Sequence, residues 1–366
     1  MKGDRRDDGY LKRRLKILTA AIGARNRTPP KCKMCRPAIG REFSVSRRPT
    51  ITPPTEPQLP VRGEDPPTTD RADSRLFLGP DGVRPIWRLV AAVAFYVVLI
   101  FAIEALLAID PAIWAWMRSQ SWALLTPGLL LFEESIRVAA ALATATWMRR
   151  LENRSFADYG LPSWQAFGKK FWQGVGYGFA LLSLLIGLIA AFHGFSLGRV
   201  ALDPAAAVRY ALLYALAFLL VGFFEEATFR GYLQATLAEE IGFWPAAIVL
   251  AFGFGLLHIR NPGEATAGLL LAGCFGLLAA FSLRRTGAIW FAIGMHAAWD
   301  WGETFFYGVP DSGAAAVGHW TTASLHGPAW LTGGSVGPEG SALVFVVMAA
   351  GAVGLHFLFP AARRNR

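Results

Sequence analysis

Eight apolar segments occupy this chain from residue 86 onward, at roughly 89–108, 122–148, 172–192, 206–224, 244–258, 266–283, 288–302 and 341–359. A helix needs about 20 predominantly apolar residues to cross the hydrocarbon layer of a bilayer, and most of these segments reach that length. Backbone polar groups in lipid must be paired within the segment itself, so the segments are expected to be helices. The reading is an all-α fold: a polytopic membrane bundle of about eight transmembrane helices. The fifth and seventh segments are short, which fits helices that are tilted, re-entrant or sheltered around a hydrated cavity. With 54% hydrophobic and only 17% charged residues, the composition argues against an ordinary soluble enzyme.

The net charge of +10 invites a nucleic-acid reading, but its location argues otherwise. Residues 1–75 hold 18 Lys and Arg against 9 Asp and Glu, so all but one of the excess positive charges lie there. That stretch is also rich in proline, as at Pro29-Pro30, Pro53-Pro54 and Pro66-Pro67, and poor in aromatics. It cannot bury enough apolar surface to offset chain entropy. Three parts are therefore expected: residues 1–85 as a disordered, basic, Pro-rich cytoplasmic tail, 86–200 as N-terminal transmembrane helices, and 201–366 as a core with a last helix. The tail has no aromatic interleaving, so no nucleic-acid partner is expected. Cys32 and Cys35 have half the spacing of a zinc ribbon but no second pair, and Cys274 lies in an apolar run, so no disulfide framework is expected.

The loops orient the bundle. With the N-terminus inside, the cytoplasmic side receives Arg149, Arg150, Arg154, Lys169, Lys170, Arg284, Arg285, Arg363, Arg364 and Arg366, whereas the opposite loop 303–340 has no Lys or Arg. This asymmetry obeys the positive-inside rule and puts both termini in the cytoplasm. An Ala-, Arg- and Gly-rich composition points to a bacterium with a GC-rich genome, and the expected location is its inner membrane. The run Gly174-x-Gly176-x-Gly178 lacks the strand and spacing of a nucleotide loop and reads as a small-residue helix contact.

Ionisable groups within apolar helices are costly and point to function. Three clusters stand out. In Glu225-Glu226-x3-Arg230, residues 226 and 230 share a helix face and can pair, while Glu225, turned by about 100°, is left free. Phe254-x3-His258 ends the fifth segment, and His296-x3-Asp300 places two polar groups on one face of the seventh. A fourth group, Glu133-Glu134-x2-Arg137, has no histidine near it in sequence and reads as a structural or gating pair. His193, His319, His326 and His356 fall near segment ends or in the outer loop and are not expected in a site.

A free carboxylate and two histidines in a membrane cavity can activate water. Glu225, assisted by His258, would take the proton of a water attacking a carbonyl. His296 would stabilise the oxyanion, with Asp300 orienting its ring. The set Glu225, His258 and His296 also has the ligand count of a catalytic zinc site. Neither HExxH nor a Gly-x-Ser-x-Gly elbow is present.

Glu225-Glu226-x3-Arg230, Phe254-x3-His258 and His296-x3-Asp300, in that order on separate apolar segments, resemble the CAAX protease and bacteriocin-processing (CPBP) family, which includes the type II CAAX prenyl endopeptidases. The resemblance covers about residues 205–303. It implies an intramembrane endopeptidase whose cavity opens toward the cytoplasm. Glu225 and His258 would be the water-activating pair, and His296 with Asp300 the oxyanion side. Glu226, Arg230 and Phe254 would support them. It implies a metal-free glutamate mechanism, with zinc at Glu225, His258 and His296 as the alternative. Eukaryotic members often carry Asn where this chain has Asp300. The expected partners are the lipid bilayer and a peptide or membrane-protein substrate. Two other classes remain open: a non-catalytic scaffold or immunity-type protein of the same fold, and a proton-coupled transporter.

Overall fold

Each of the eight apolar segments becomes a helix in the computed structural model, which describes residues 76–79, 82–120, 124–260 and 266–360. Most of the basic tail, including Cys32 and Cys35, lies outside the described residues. Its last part is a short antiparallel pairing of Leu78–Gly79 with Gly82–Val83. It leads into helix α1, Pro85–Leu107, which has proline in its first turn.

Helix α2, Pro111–Ser119, has no counterpart in the apolar pattern because it is short and amphipathic. The Asp110 carboxylate caps it by accepting from the amides of Ala112 and Ile113. Then come α3, Pro127–Leu151, α4, Lys169–Ala191, and α5, Pro204–Glu226. Asp203 caps α5 through the amides of Ala205 and Ala206. A π-helical stretch, Ala227–Leu233, carries α5 without a break into α6, Gln234–Ile241. Helices α7, Phe243–Leu257, and α8, Thr266–Thr286, follow. Helix α9, Trp290–Trp301, also runs into a π-helical stretch, Gly302–Tyr307. The last helix is α10, Leu343–Leu358.

Among the described residues, four helices are long and apolar enough to cross a membrane: Pro85–Leu107, Lys169–Ala191, Pro204–Ile241 and Leu269–Thr286. Helices α7 and α10 are apolar but shorter. Phe101, Leu106, Phe252, Leu257 and Phe357 all point outward. Helix α1 buries only Ala92. Apolar surface so extensive on the outside of a bundle fits lipid rather than water as its surroundings.

Helix α9 is short for a different reason. Every residue from Trp290 to Asp300 is buried, so it is a central strut sheathed by protein rather than a lipid-facing helix. Glycines let its neighbours reach it. A Cβ at Gly174 would fall 2.1 Å from the Phe291 carbonyl oxygen, one at Gly178 2.0 Å from that of Met295, and one at Gly294 2.2 Å from that of Phe171. The Gly174-x3-Gly178 ridge of α4 is therefore a backbone-to-backbone contact with α9, while Gly176 faces open space. Gly222 brings α5 to the other side of α9, where its Cβ would meet the Ile293 oxygen at 3.0 Å.

The long loop after α9 is folded over the bundle. Its Ala315–Ala316 pairs with Leu124–Leu125, and its Ser324–Leu325 with Phe195–Ser196. Elsewhere Glu152, at the end of α3, gathers Arg88 at 3.2 Å, Tyr159 at 2.8 Å and Tyr232 at 2.7 Å. Glu239 of α6 pairs with both Arg88 and Arg154. This network ties α1, α3, the π stretch and α6 together.

Candidate active site

Helices α5, α7 and α9 bring the three sequence clusters to one cavity of about 770 Å³. Glu225, Phe254, His258, His296 and Asp300 all line it. The π-helical stretches begin directly after Glu226 and directly after Trp301. Wide turns of this kind interrupt ordinary helical pairing and recur at functional sites. The spacing of the motifs alone gave no sign of them.

Glu226 is the anchor. It is fully buried, and its Oε1 accepts from Arg230 Nη1 at 3.2 Å and from His296 Nδ1 at 2.9 Å. Arg230 is itself buried. Its guanidinium lies 4.5 Å from the centre of the Phe254 ring, and its Nε donates to the Gly276 carbonyl at 3.4 Å. Phe254 therefore acts as a platform for the cation. Gly276 leaves room for this guanidinium, since a Cβ there would lie 2.5 Å from Arg230 Nη2. The expected Glu226–Arg230 pair is thus present, with His296 as a third member.

Glu225 points the other way. Its side chain keeps 22% exposure in the cavity, against 0% for Glu226, and its Oε2 lies 3.5 Å from His296 Nε2. Asp300 Oδ2 is 3.6 Å from the same nitrogen. His296 therefore binds most closely to Glu226, not to Asp300 four residues along its own helix. The His296 ring is also held edge-on by Phe275, with ring centres 4.9 Å apart. His258 Nδ1 donates to the Phe254 carbonyl at 2.8 Å, and its ring packs on the Phe254 ring. Donation from Nδ1 leaves Nε2 of a neutral His258 as the proton acceptor.

The sequence reading missed part of the lining. Glu133, Glu134 and Arg137 of α3 face the same cavity. Arg137 pairs with Glu134 and, at 3.3 Å, with Glu133. Their distance in sequence from any histidine hid this; their charge within an apolar helix was the available signal. Asp311, Ser312 and Glu339 of the folded-over loop also contribute to the lining. None of His193, His319, His326 and His356 does.

The donor set of a metal centre can be checked by convergence. Among the described residues, the group of acids and histidines whose ligand atoms all lie within 4.8 Å of one another is Glu303, Asp311 and Glu339. Glu225, His258 and His296 are not grouped at that spacing, although Glu225 Oε2 and His296 Nε2 lie 3.5 Å apart.

The fold and site thus define a class: a helical bundle fit for a membrane, with glutamate and histidine side chains buried around an internal cavity. Residues 207–302 match the family model of the type II CAAX prenyl endopeptidase Rce1-like proteins. The matched residues span the Glu225, His258 and His296 clusters. No curated protein and no solved structure gives a significant match.

Proposed function

We propose that the protein is an intramembrane endopeptidase that hydrolyses peptide bonds of a peptide or membrane-protein substrate with water activated by Glu225. One observation carries the reading: of two adjacent glutamates, Glu226 is locked between Arg230 and His296, whereas Glu225 is left open to the cavity beside His296 Nε2. A carboxylate acting as base must reach water and must not be spent on an ion pair.

In this mechanism Glu225, with His258 Nε2 as a second acceptor, takes a proton from the attacking water. Protonated His296, fixed through Nδ1 by Glu226, donates from Nε2 to the oxyanion as the carbonyl becomes tetrahedral. Asp300 positions that ring. Glu225 then returns the proton to the leaving amine, and the peptide bond breaks to give a carboxylate and a free amino terminus. No step needs a metal. The apolar surroundings strengthen each electrostatic contact.

The bundle is proposed to sit in a bacterial inner membrane with both termini cytoplasmic, as the loop charges indicate. The family description reads CAAX prenyl endopeptidase; membrane-bound peptide substrates are the broader class proposed for this chain. The test is to compare peptides and membrane proteins in cells carrying the wild type and Glu225→Gln. Specific species should accumulate uncleaved in the variant. Identical profiles, with both proteins folded in the membrane, would rule the reading out.

A second reading rests on the acids along the cavity, from Glu133 and Glu134 through Glu225 and Asp300 to Glu339. Such a row suits a proton-coupled transporter. Solute-driven proton flux in liposomes, undiminished in a protein without cleavage activity, would favour it.

A further inference from the structure

The loop side of the cavity holds a second set of acids that the proposed hydrolysis does not use. Glu303 lies in the π-helical stretch after α9, Asp311 in the loop beyond it, and Glu339 in the short turn Pro338–Gly340. Each brings one carboxylate oxygen to a common space, all within 4.8 Å of one another. Three carboxylates this close repel one another unless protons or a cation intervene. No Arg or Lys side chain pairs with them among the described residues.

The hydrogen bonds present are too few to satisfy them. The single indole N–H of Trp299 is shared between Glu303 Oε2 and Glu339 Oε1, at 3.1 Å each. Thr304 Oγ1 donates to Asp311 Oδ2 and Ser312 Oγ to Glu339 Oε2, both at 2.9 Å. Independently of the clustering, Glu303 is fully buried and its Oε1 has no hydrogen-bond partner. An orphaned carboxylate oxygen in a dry site is costly. A cation is the partner that would satisfy it and neutralise its neighbours together.

We propose that Glu303, Asp311 and Glu339 bind one hard divalent cation of the calcium type. The ligand atoms are all oxygen, with no histidine or thiolate, which selects against zinc and copper. Calcium–oxygen bonds of about 2.4 Å put ligand oxygens at most about 4.8 Å apart, and the ion accepts irregular geometry and water in its remaining positions. The cavity that reaches Asp311 and Glu339 gives the ion a path in. Bound there, it would fasten the folded-over loop to the end of the helix that carries His296. The site is structural and does not rest on the protease reading.

The full-length protein, purified in detergent and stripped with a chelator, is titrated with Ca²⁺ alone and, in a second arm, with Mg²⁺ alone. One saturable Ca²⁺ per chain is expected, with a rise in the thermal unfolding midpoint that saturates over the same concentrations. Glu339→Gln and Asp311→Asn, both partly exposed positions, should each weaken Ca²⁺ binding about tenfold or more. Glu225→Gln should bind Ca²⁺ as the wild type does, so this proposal and the hydrolytic one fail separately. Absence of saturable Ca²⁺ binding to the folded wild type would overturn the site. So would wild-type affinity in both loop variants, or a preference for Mg²⁺ over Ca²⁺.

Discussion

His296 joins two adjacent glutamates: its Nδ1 lies 2.9 Å from Glu226 Oε1, and its Nε2 faces Glu225 Oε2 at 3.5 Å. Neighbours on a helix point about 100° apart, and a single imidazole reaches both by using opposite sides of its ring. One side is fixed in a buried ion pair, and the other is left toward the cavity. The different surroundings of the two glutamates follow from this contact.

Glu225→Gln and Glu226→Gln should therefore fail differently. The first should abolish cleavage while leaving insertion and the thermal midpoint unchanged. The second removes one partner of a buried pair and should destabilise by about 3–5 kcal/mol. Unfolding in mixed micelles, run beside the cleavage comparison, separates the two. Equal stability of the two variants would contradict the assignment of Glu226 as the anchor.

Asp300 is placed as a positioning group, 3.6 Å from His296 Nε2. Asp300→Asn keeps the shape and should retain cleavage within about tenfold, whereas Asp300→Ala should lose about a hundredfold, mainly in kcat. The pH profile of Asp300→Asn should shift, because a titratable group beside His296 is gone. An unshifted profile would leave Asp300 a merely structural role.

The glycine ridge of α4 offers a paired test. Gly178→Ala sets a methyl group against the Met295 carbonyl, where a Cβ would lie 2.0 Å away. It should cost about 1–3 kcal/mol or more. Gly176→Ala meets nothing within 4 Å and should be neutral or mildly stabilising. Reversible unfolding of both variants measures the difference.

Arg137 links Glu133 and Glu134 at the cavity wall. Arg137→Gln should destabilise by leaving two acids without their cation. The double change Glu134→Gln with Arg137→Gln should recover part of that loss, with a coupling of about 1–3 kcal/mol. Additive effects in this cycle would show that the pair contributes nothing as a unit.

The sequence alone determined the elements and the chemistry. Runs of apolar residues can satisfy their backbones only as helices in such surroundings, so each of the eight segments was legible as one. Charges stranded in those runs drew attention to Glu225, His258, His296 and Asp300, which the structure brings to one cavity. Spacing also gave the Glu226–Arg230 pair, a contact within one helical turn.

Tertiary structure decided everything that depends on which helix meets which. Only packing through Gly222 and the Gly174–Gly178 ridge made α9 a buried strut, bringing His296 to Glu226 in preference to Asp300. Only the assembled bundle brought Glu133, Glu134 and Arg137 into the cavity and folded Asp311 and Glu339 back toward Glu303. Residues such as His296 and Glu226, 70 positions apart in sequence, share no local pattern. Their meeting is set by close approach of backbones, which periodicity does not encode.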